Sequence, residues 1–280
     1  MTEVINISGY KFVTLEDLPS LRGILLKKCF ALNVKGTILI SPEGINVVMS
    51  GARESIDALV EFLKADPRFS DMLFKESISS HQPFNRTLVR IKKEIIAFGV
   101  EGIDPASHTS PHLSPKTLKK WLDEGRDVVL LDTRNEYEVK LGTFKNAINP
   151  HVDTFREFPE AVRALPDSLK GKTVVTFCTG GVRCEKAAPF LEKEGFKDVY
   201  QIDGGILKYF EECGGAHWEG DCFVFDHRVA LTPQLEQSTA ALCFRCREPL
   251  TPEEIQSEAY VVNVCCPYCI NKKVSSRSEG

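Results

Sequence analysis

The sequence feature that most constrains this chain is a six-residue loop that opens with cysteine and closes with arginine: Cys178, Thr179, Gly180, Gly181, Val182 and Arg183. Before it, residues 173–177 are β-branched or aromatic, which predicts a short buried strand. After it, residues 184–194 predict a helix that ends at Gly195. The loop is therefore expected to join the end of a parallel strand to the start of a helix.

The position of Cys178 predicts thiolate chemistry. Free N–H groups in the loop and at the start of the helix can surround an anion, and such a setting lowers the pKa of a thiol. We predict that Cys178 is the catalytic nucleophile, that residues 179–182 form its cradle, and that Arg183 can bind a phosphate or sulfonate. A buried structural cysteine is the alternative.

Three neighbouring residues have two interpretations each. Cys184 can resolve an oxidised Cys178 into a disulfide, or it can be a small buried side chain. Asp132, at the end of a predicted strand, and Arg134 are predicted to support the loop. Contact of this pair with an anionic substrate is the alternative.

Residues 116–215 alternate between helical and extended patterns. Helices are predicted over 116–124, 136–141, 158–164, 183–194 and 206–212, and strands over 127–132, 173–177 and 199–202. This alternation predicts an α/β domain with a parallel sheet and helices on both faces, which binds ligands at the carboxyl edge of the strands. Pro189 should kink its helix or remove one backbone hydrogen bond.

Residues 1–101 form a separate α+β unit. Their pattern predicts strands over 4–13, 36–40, 45–50, 73–77 and 88–96, and helices over 15–32 and 55–64, with Phe30 on an apolar face. The order predicts a ferredoxin-like (acylphosphatase-like) sandwich. Residues 102–115, rich in proline, serine and threonine, predict an extended interdomain linker.

A basic run lies near the end of this first unit and consists of Arg86, Arg90, Lys92 and Lys93. Arg90 and Lys92 share one face of the predicted strand, and Lys93 lies on the other. A solvated strand surface explains these charges. Contact with RNA phosphates is the alternative.

The tail contains two C-x-x-C pairs, Cys243 with Cys246 and Cys266 with Cys269, separated by nineteen residues. Two such pairs supply four thiolates to one tetrahedral ion, so we predict a structural zinc site without an open position. Cys265 competes with Cys266 for the third ligand position. We expect an extended arm and this zinc-ribbon-like tail over residues 216–273, and a disordered end at 274–280.

Composition excludes several classes of protein. The 280 residues carry 35 basic and 39 acidic side chains, so a strong overall attraction to nucleic acid is not expected, and DNA is not a predicted partner. No apolar run has the length of a membrane span, and the N-terminus lacks a signal peptide, which predicts a cytoplasmic protein. In that compartment ten cysteines indicate metal binding and catalysis rather than disulfides. The short His151-Val152-Asp153 match to an iron site is rejected as chance.

Several segments resemble the rhodanese family, whose domains carry sulfur as a cysteine persulfide: the loop itself and residues 130–138, 142–147 and 203–206. More narrowly, Cys-Thr-Gly-Gly-Val-Arg-Cys-Glu-Lys-Ala, which starts at Cys178, is similar to the loop of the tRNA uridine hydroxylases, rhodanese-domain proteins with added flanks. The segment around Cys222, itself expected to be packing, resembles the stretch that follows their rhodanese domain. The likeness extends over nearly the whole chain.

This resemblance implies a tRNA-modifying enzyme that hydroxylates the wobble uridine to 5-hydroxyuridine, with molecular oxygen and an unidentified reductant as co-substrates. It also implies that the basic run touches tRNA. Oxygen chemistry normally employs flavin or a redox metal, and the sequence shows no dinucleotide fingerprint. Two other classes stay open: a sulfurtransferase that passes sulfane sulfur from thiosulfate or a persulfide donor, and a non-enzymatic RNA-binding scaffold.

Overall fold

The N-terminal domain is an α+β sandwich. The structure, a computed structural model, describes residues 3–271, so the end predicted to be disordered lies outside the described residues. The elements of this domain are β1 (Val4–Phe12), α1 (Leu18–Ala31), β2 (Lys35–Ser41), β3 (Gly44–Gly51), α2 (Arg53–Lys64), β4 (Lys75–Ser79) and β5 (Thr87–Ile91). The sheet order is β4-β1-β3-β2-β5, with β5 parallel to β2 and the other neighbours antiparallel. The predicted ferredoxin-like, acylphosphatase-like sandwich is confirmed, with β5 added at one edge.

The helix α1 differs from its prediction at its start and in one buried position. It begins at Leu18, with Pro19 in the first turn, where the missing N–H of proline costs nothing. The prediction that Phe30 faces the core is wrong, because its side chain is 63% exposed and the neighbouring Cys29 is buried instead.

The strands β4 and β5 also differ from prediction. β4 begins at Lys75, two residues later than expected. β5 ends at Ile91 and does not extend to residue 96, because β2 enters its hairpin turn and leaves no further partner. The bond from the amide of Lys92 to the carbonyl of Ile40, at 2.9 Å, is the last of this ladder.

The second domain alternates strands and helices as predicted. Its elements are β6 (His112–Leu113), α3 (Pro115–Asp123), β7 (Val128–Asp132), α4 (Glu136–Val139), β8 (Gly142–Phe144), α5 (Phe158–Arg163), β9 (Thr173–Phe177), α6 (Cys184–Lys193), β10 (Asp198–Ile202) and α7 (Gly205–Cys213). The strands β6-β10-β9-β7 form a parallel sheet in that order. One core holds α5 and α6, and the other holds α3 and α7. The predicted parallel sheet with helices on both faces is confirmed.

The connection between the domains is bound to the second domain more closely than an extended linker over residues 102–115 would be. His112 and Leu113 form the edge strand β6, and the amide of Gln201 in β10 donates to the carbonyl of Pro111 at 3.0 Å. Phe98 lies even earlier and is buried in the second domain, with its ring 4.8 Å from that of Phe155. The segment between the domains therefore binds the second domain in two ways: β6 pairs with the edge of β10, and Phe98 packs into the apolar core.

The helix α6 continues through Pro189 to Lys193. The proline has no N–H to offer to the carbonyl of Glu185, four residues earlier, so one helical bond is missing, as expected. The helix survives because its first eight residues are buried.

The remaining described residues add short paired strands and one small helix: β11 (Trp218–Gly220), β12 (Cys222–Phe223), β13 (Ala230–Leu231), β14 (Ala241–Leu242), β15 (Pro249–Leu250) and α8 (Pro252–Ile255). β11 pairs with β8, β12 with β13, and β14 with β15. Within residues 3–271, no helix is both long and apolar enough to cross a membrane.

Candidate active site

Cys178 follows the last residue of β9 and lies at the carboxyl edge of the parallel sheet. The amide of Gly181 donates to its Sγ atom at 3.1 Å. The start of α7 closes over the loop, and a Cβ atom at Gly205 would stand 2.4 Å from the carbonyl oxygen of Cys178. Gly205 also has a φ of +68°, so glycine is required there for both reasons.

The surroundings of Cys178 favour the thiolate. Burial raises the pKa of this thiol, but a hydrogen bond from Cys184, the charge of Arg183 and the N–H groups of Arg183 and Gly181 outweigh that effect and lower the pKa to about 6. The side chain is 2% exposed. Near neutral pH the sulfur therefore carries a negative charge inside a closed cradle of donors.

Cys184 opens α6 directly beside this thiolate and is fully buried. Burial, followed by the hydrogen bond to Cys178 and its negative charge, raises the pKa of Cys184 well above the usual value. Its Sγ atom lies 3.7 Å from Oγ1 of Thr133. Cys184 thus keeps its proton and donates it toward Cys178, and the resolving role stays a prediction.

Arg183 is held by a partner that sequence reasoning missed. Its Nη2 atom donates to Oε2 of Glu138 at 2.7 Å, and both side chains are buried. Glu138 is the third residue of α4 and completes a capping box with Asn135. That box is a local sequence signal, but its spacing did not reveal that the glutamate also faces Arg183.

Asp132 and Arg134 form a fully buried ion pair at 2.7 Å. Arg134 also donates to the carbonyl of Gly142 at 2.7 Å, and Thr143 donates to Asp132 at 2.8 Å. These bonds brace the carboxyl end of β7 against β8. The geometry supports the interpretation of this pair as loop support.

Two side chains of the N-terminal domain reach the loop, and the sequence offered no signal for either. Lys75, at the start of β4, donates to the carbonyl of Gly180 at 2.8 Å and to that of Gly204. Burial, partly offset by the negative charge of Cys178, lowers the pKa of Lys75 to about 8. Tyr10 of β1 donates to Oε1 of Glu185 at 2.8 Å, and burial and that carboxylate raise the pKa of its phenol.

The next residue of α6 makes a second bridge between the domains. Lys186 is 2% exposed and donates to Oε1 of Glu43 at 2.9 Å and to the carbonyl of Ile96 at 3.1 Å. Glu94 lies 3.5 Å from the same ammonium. Two consecutive charged residues of α6, Glu185 and Lys186, therefore bind the N-terminal domain.

The basic run lies at the edge of the N-terminal sheet. Arg86 precedes β5, Arg90 lies within it, and Lys92 and Lys93 follow it. All four side chains are exposed, and β5 is bonded on one side only, to β2. These four charges therefore lie on the protein surface. They are distant from the cysteine loop in the sequence and belong to a different sheet.

The tail brings four cysteines together. The Sγ atoms of Cys243, Cys246, Cys266 and Cys269 lie within 4.8 Å of one another. The pairs Cys243–Cys269 and Cys246–Cys266 are separated by 3.7 and 3.5 Å, close to the spacing of about 3.8 Å that four sulfurs at about 2.3 Å from one tetrahedral zinc require. Cys265 lies outside this group, with its sulfur 3.8 Å from the carbonyl of Ala259. The four sulfur atoms are therefore spaced as a zinc ion requires, and the third ligand position is occupied by Cys266 rather than Cys265.

Cys222 is a buried packing residue, as expected. It is fully buried, and burial raises the pKa of its thiol to about 12.

Comparison with known proteins places both domains. A model described as the UPF0176 acylphosphatase like domain matches residues 4–95, and the model of the rhodanese-like domain matches residues 114–212. Among solved structures, the rhodanese-like domain of an Anabaena protein aligns with a TM-score of 0.34 and 21% identity, over 40% of this chain and 80% of that one.

Curated relatives extend over the whole length. A tRNA uridine(34) hydroxylase from Cupriavidus taiwanensis is 53% identical over 276 residues, which cover 97% of this chain and 98% of the relative. Another, from Ralstonia nicotianae, is 53% identical over 272 residues, which cover 95% and 96% respectively.

Proposed function

The chain belongs to the tRNA uridine(34) hydroxylase family, and we propose that it converts the wobble uridine of tRNA to 5-hydroxyuridine at a site built around Cys178. The observation that carries the assignment to this residue is the cradle around its sulfur, to which the amide of Gly181 donates at 3.1 Å. These donors, together with Cys184 and the charge of Arg183, outweigh burial and lower the pKa of the thiol to about 6. A thiolate is the nucleophilic form of cysteine.

The reaction needs two co-substrates. Transfer of one oxygen atom of O₂ to carbon 5 withdraws two electrons from uridine, and reduction of the other oxygen atom to water requires two more electrons and two protons. Molecular oxygen and a reductant of unidentified chemistry therefore belong to the proposal. We further propose that Cys178 carries sulfur as a persulfide, taken from a donor persulfide whose remaining sulfur leaves as a thiolate.

The remaining modules have supporting roles in this proposal. Zinc held by Cys243, Cys246, Cys266 and Cys269 orders the tail, since a closed set of four sulfur ligands leaves no position for water. The basic run of Arg86, Arg90, Lys92 and Lys93 contacts tRNA phosphates. The enzyme acts in the cytoplasm, where its tRNA substrate is found.

The substitution Cys178→Ser tests the central assignment. A hydroxyl fits the space of the thiol but does not ionise near neutral pH, so we expect loss of essentially all 5-hydroxyuridine with the fold retained. Nucleoside mass spectrometry of tRNA from a strain that carries only this variant measures the product. Cys213→Ser, which changes a half-buried thiol on α7, is the matched control and should leave the product unchanged.

Wild-type levels of 5-hydroxyuridine in the Cys178→Ser strain would remove the catalytic assignment. If the wild-type protein leaves uridine-bearing tRNA unmodified with oxygen and a reductant, yet transfers sulfur from thiosulfate, the sulfurtransferase interpretation replaces the hydroxylase.

A further inference from the structure

Phe225 lies beside the cysteine loop with its side chain 54% exposed. It occupies the turn between β12 and β13, directly after two buried residues. A single exposed phenylalanine is ordinary on a protein surface. The surroundings of this one are not ordinary, because the segment that carries it is bound to both domains and a buried cation faces its ring.

The turn that carries Phe225 is anchored at several points. The ring of Phe223 packs edge-on against Phe225 at 5.1 Å between centroids, and the carbonyl of Phe223 accepts from Thr179 of the loop at 3.4 Å. Asp226 and Arg228 form a buried ion pair, and Arg228 donates to Oγ of Ser77 at 2.7 Å. The exposed ring therefore stands on a backbone that both domains hold.

The cation is Arg183, the residue that closes the cysteine loop. Its guanidinium carbon lies 5.7 Å from the centroid of the Phe225 ring. The side chain is 7% exposed, and its Nη1 atom has no hydrogen-bond partner among residues 3–271. A buried guanidinium donor without an acceptor is costly. Because this atom has almost no accessible surface, an acceptor on a ligand reaches it only when the side chains that cover it shift.

We propose that Phe225 is a stacking platform for the nucleobase at tRNA position 34 and that Nη1 of Arg183 donates to an oxygen atom of the same nucleotide. This inference rests on the proposed function and identifies where its substrate is read. Proteins recognise single-stranded RNA by stacking unpaired bases on aromatic rings and guanidinium planes. Cys178 is 2% exposed and Phe225 is 54% exposed, so an incoming base meets the ring before it meets the sulfur.

Other exposed phenylalanines do not meet these conditions. Phe30 is 63% exposed on α1, and Phe244 is 67% exposed within the cysteine cluster of the tail. Neither belongs to the segments that contact the cysteine loop. Phe30→Leu is therefore a matched control that removes a ring of similar exposure.

The test measures coupling between the ring and the base. The full-length wild-type protein and the variants Phe225→Leu, Phe225→Tyr and Phe30→Leu are titrated with two anticodon stem-loop RNAs at one salt concentration. One RNA has uridine at position 34 and the other has an abasic nucleotide there. Because a stacked base contributes to affinity, we expect the wild-type protein to bind the abasic RNA about tenfold more weakly.

We expect Phe225→Leu to bind both RNAs with equal affinity, and Phe225→Tyr and Phe30→Leu to discriminate as the wild type does. A Phe225→Leu protein that still prefers the uridine RNA tenfold would overturn the proposal, and so would one that loses affinity for both RNAs equally while keeping that preference. Hydroxylation of tRNA by the wild-type protein is measured separately. Absence of hydroxylation counts against the proposed function. Normal hydroxylation by the wild-type protein, together with a Phe225→Leu variant that still prefers the uridine RNA, counts only against the stacking platform.

Discussion

At the scale of single residues, the central feature is a pair of adjacent thiols whose pKa values are shifted in opposite directions. Burial raises the pKa of Cys178, but the hydrogen bond from Cys184 and the charge of Arg183 outweigh it and lower the pKa. The same hydrogen bond, together with burial, raises the pKa of Cys184. One proton shared between two sulfurs thus keeps one of them nucleophilic and the other protonated.

This pair predicts a pH profile for the reactivity of Cys178. The thiolate is the reactive form, so inactivation by iodoacetamide should accelerate as pH rises through about 6 and level off above it. The substitution Arg183→Gln removes a neighbouring positive charge and should move the inflection to higher pH. The exposed Arg163, changed to glutamine, should not move it. A wild-type inflection close to the ordinary thiol pKa of about 8.5 would contradict the thiolate.

At the scale of elements, α6 is unusual because both domains enclose its first two turns. Its first eight residues, Cys184 to Leu191, are buried, including the charged Glu185 and Lys186. Glu185 binds Tyr10, and Lys186 binds Glu43. Buried charges of this kind require partners, and here the partners belong to the N-terminal domain.

The substitution Lys186→Met should loosen this junction. It leaves Glu43 without its ammonium partner at 2.8 Å, and loss of a hydrogen bond to a charged group lowers the free energy of unfolding by about 2 kcal/mol. Urea unfolding measures this change, and limited proteolysis shows whether the domains separate. Lys193→Met, on the exposed end of the same helix, should have a smaller effect. Equal effects of the two variants would show that the buried ion pair of Lys186 with Glu43 does not contribute to the free energy of unfolding.

The tail is the second element with a chemical requirement of its own. Its four sulfur atoms are gathered from two turns around one point, and little apolar core supports them. We therefore expect the bound ion to contribute most of the order in this segment.

Adjacent cysteines allow a matched test of the zinc site. The substitution Cys266→Ser removes a ligand and should reduce bound zinc from about one ion per chain to nearly none, with increased proteolysis of the tail. Cys265→Ser changes a thiol outside the cluster and should retain the metal. Elemental analysis of protein purified without chelator measures both. Retention of zinc by Cys266→Ser together with its loss from Cys265→Ser would reverse the ligand assignment.

At the scale of the whole molecule, the N-terminal domain, the rhodanese-like domain and the segment after it meet at one loop. Lys75 comes from the first, Cys178 and Arg183 from the second, and Phe225 from the third, and Ser77 of the first domain accepts a hydrogen bond from Arg228 of the third segment. The basic run lies at the opposite edge of the N-terminal sheet from β4, which carries Lys75. In the proposed function, tRNA phosphates bind at one edge of this sheet, whereas the opposite edge contacts the cysteine loop through Lys75.

Neutralising Arg90 and Lys92 together tests this arrangement. We expect the Arg90→Gln, Lys92→Gln variant to bind tRNA more weakly and to show a flatter dependence of affinity on salt. Each lost phosphate contact reduces the log–log slope by about 0.7 to 0.9. The same change at Lys119 and Lys120, on α3, is the control. An unaltered slope in the first variant would place the phosphate contacts elsewhere on the molecule.

What the sequence determined about this protein is mainly local. The strand, loop and helix around Cys178 follow from the hydrophobic pattern and two glycines. The cluster of four cysteines that could hold a metal ion follows from two C-x-x-C pairs, because the members of each pair lie within a few residues of one another. The parallel sheet and the α+β sandwich follow from the order of these segments.

The tertiary structure alone decided which distant side chains complete the site. Lys75 and Gly180 are 105 residues apart in the chain, and Arg183 and Glu138 are 45 apart. The contact of Lys75 depends on the register of β4 and on the docking of one domain on the other. The contact of Arg183 depends on how α4 packs beside the loop within the second domain, and no local pattern encodes either arrangement. The same holds for β6, because an unsatisfied strand edge, rather than the composition of residues 102–115, determines where the chain pairs.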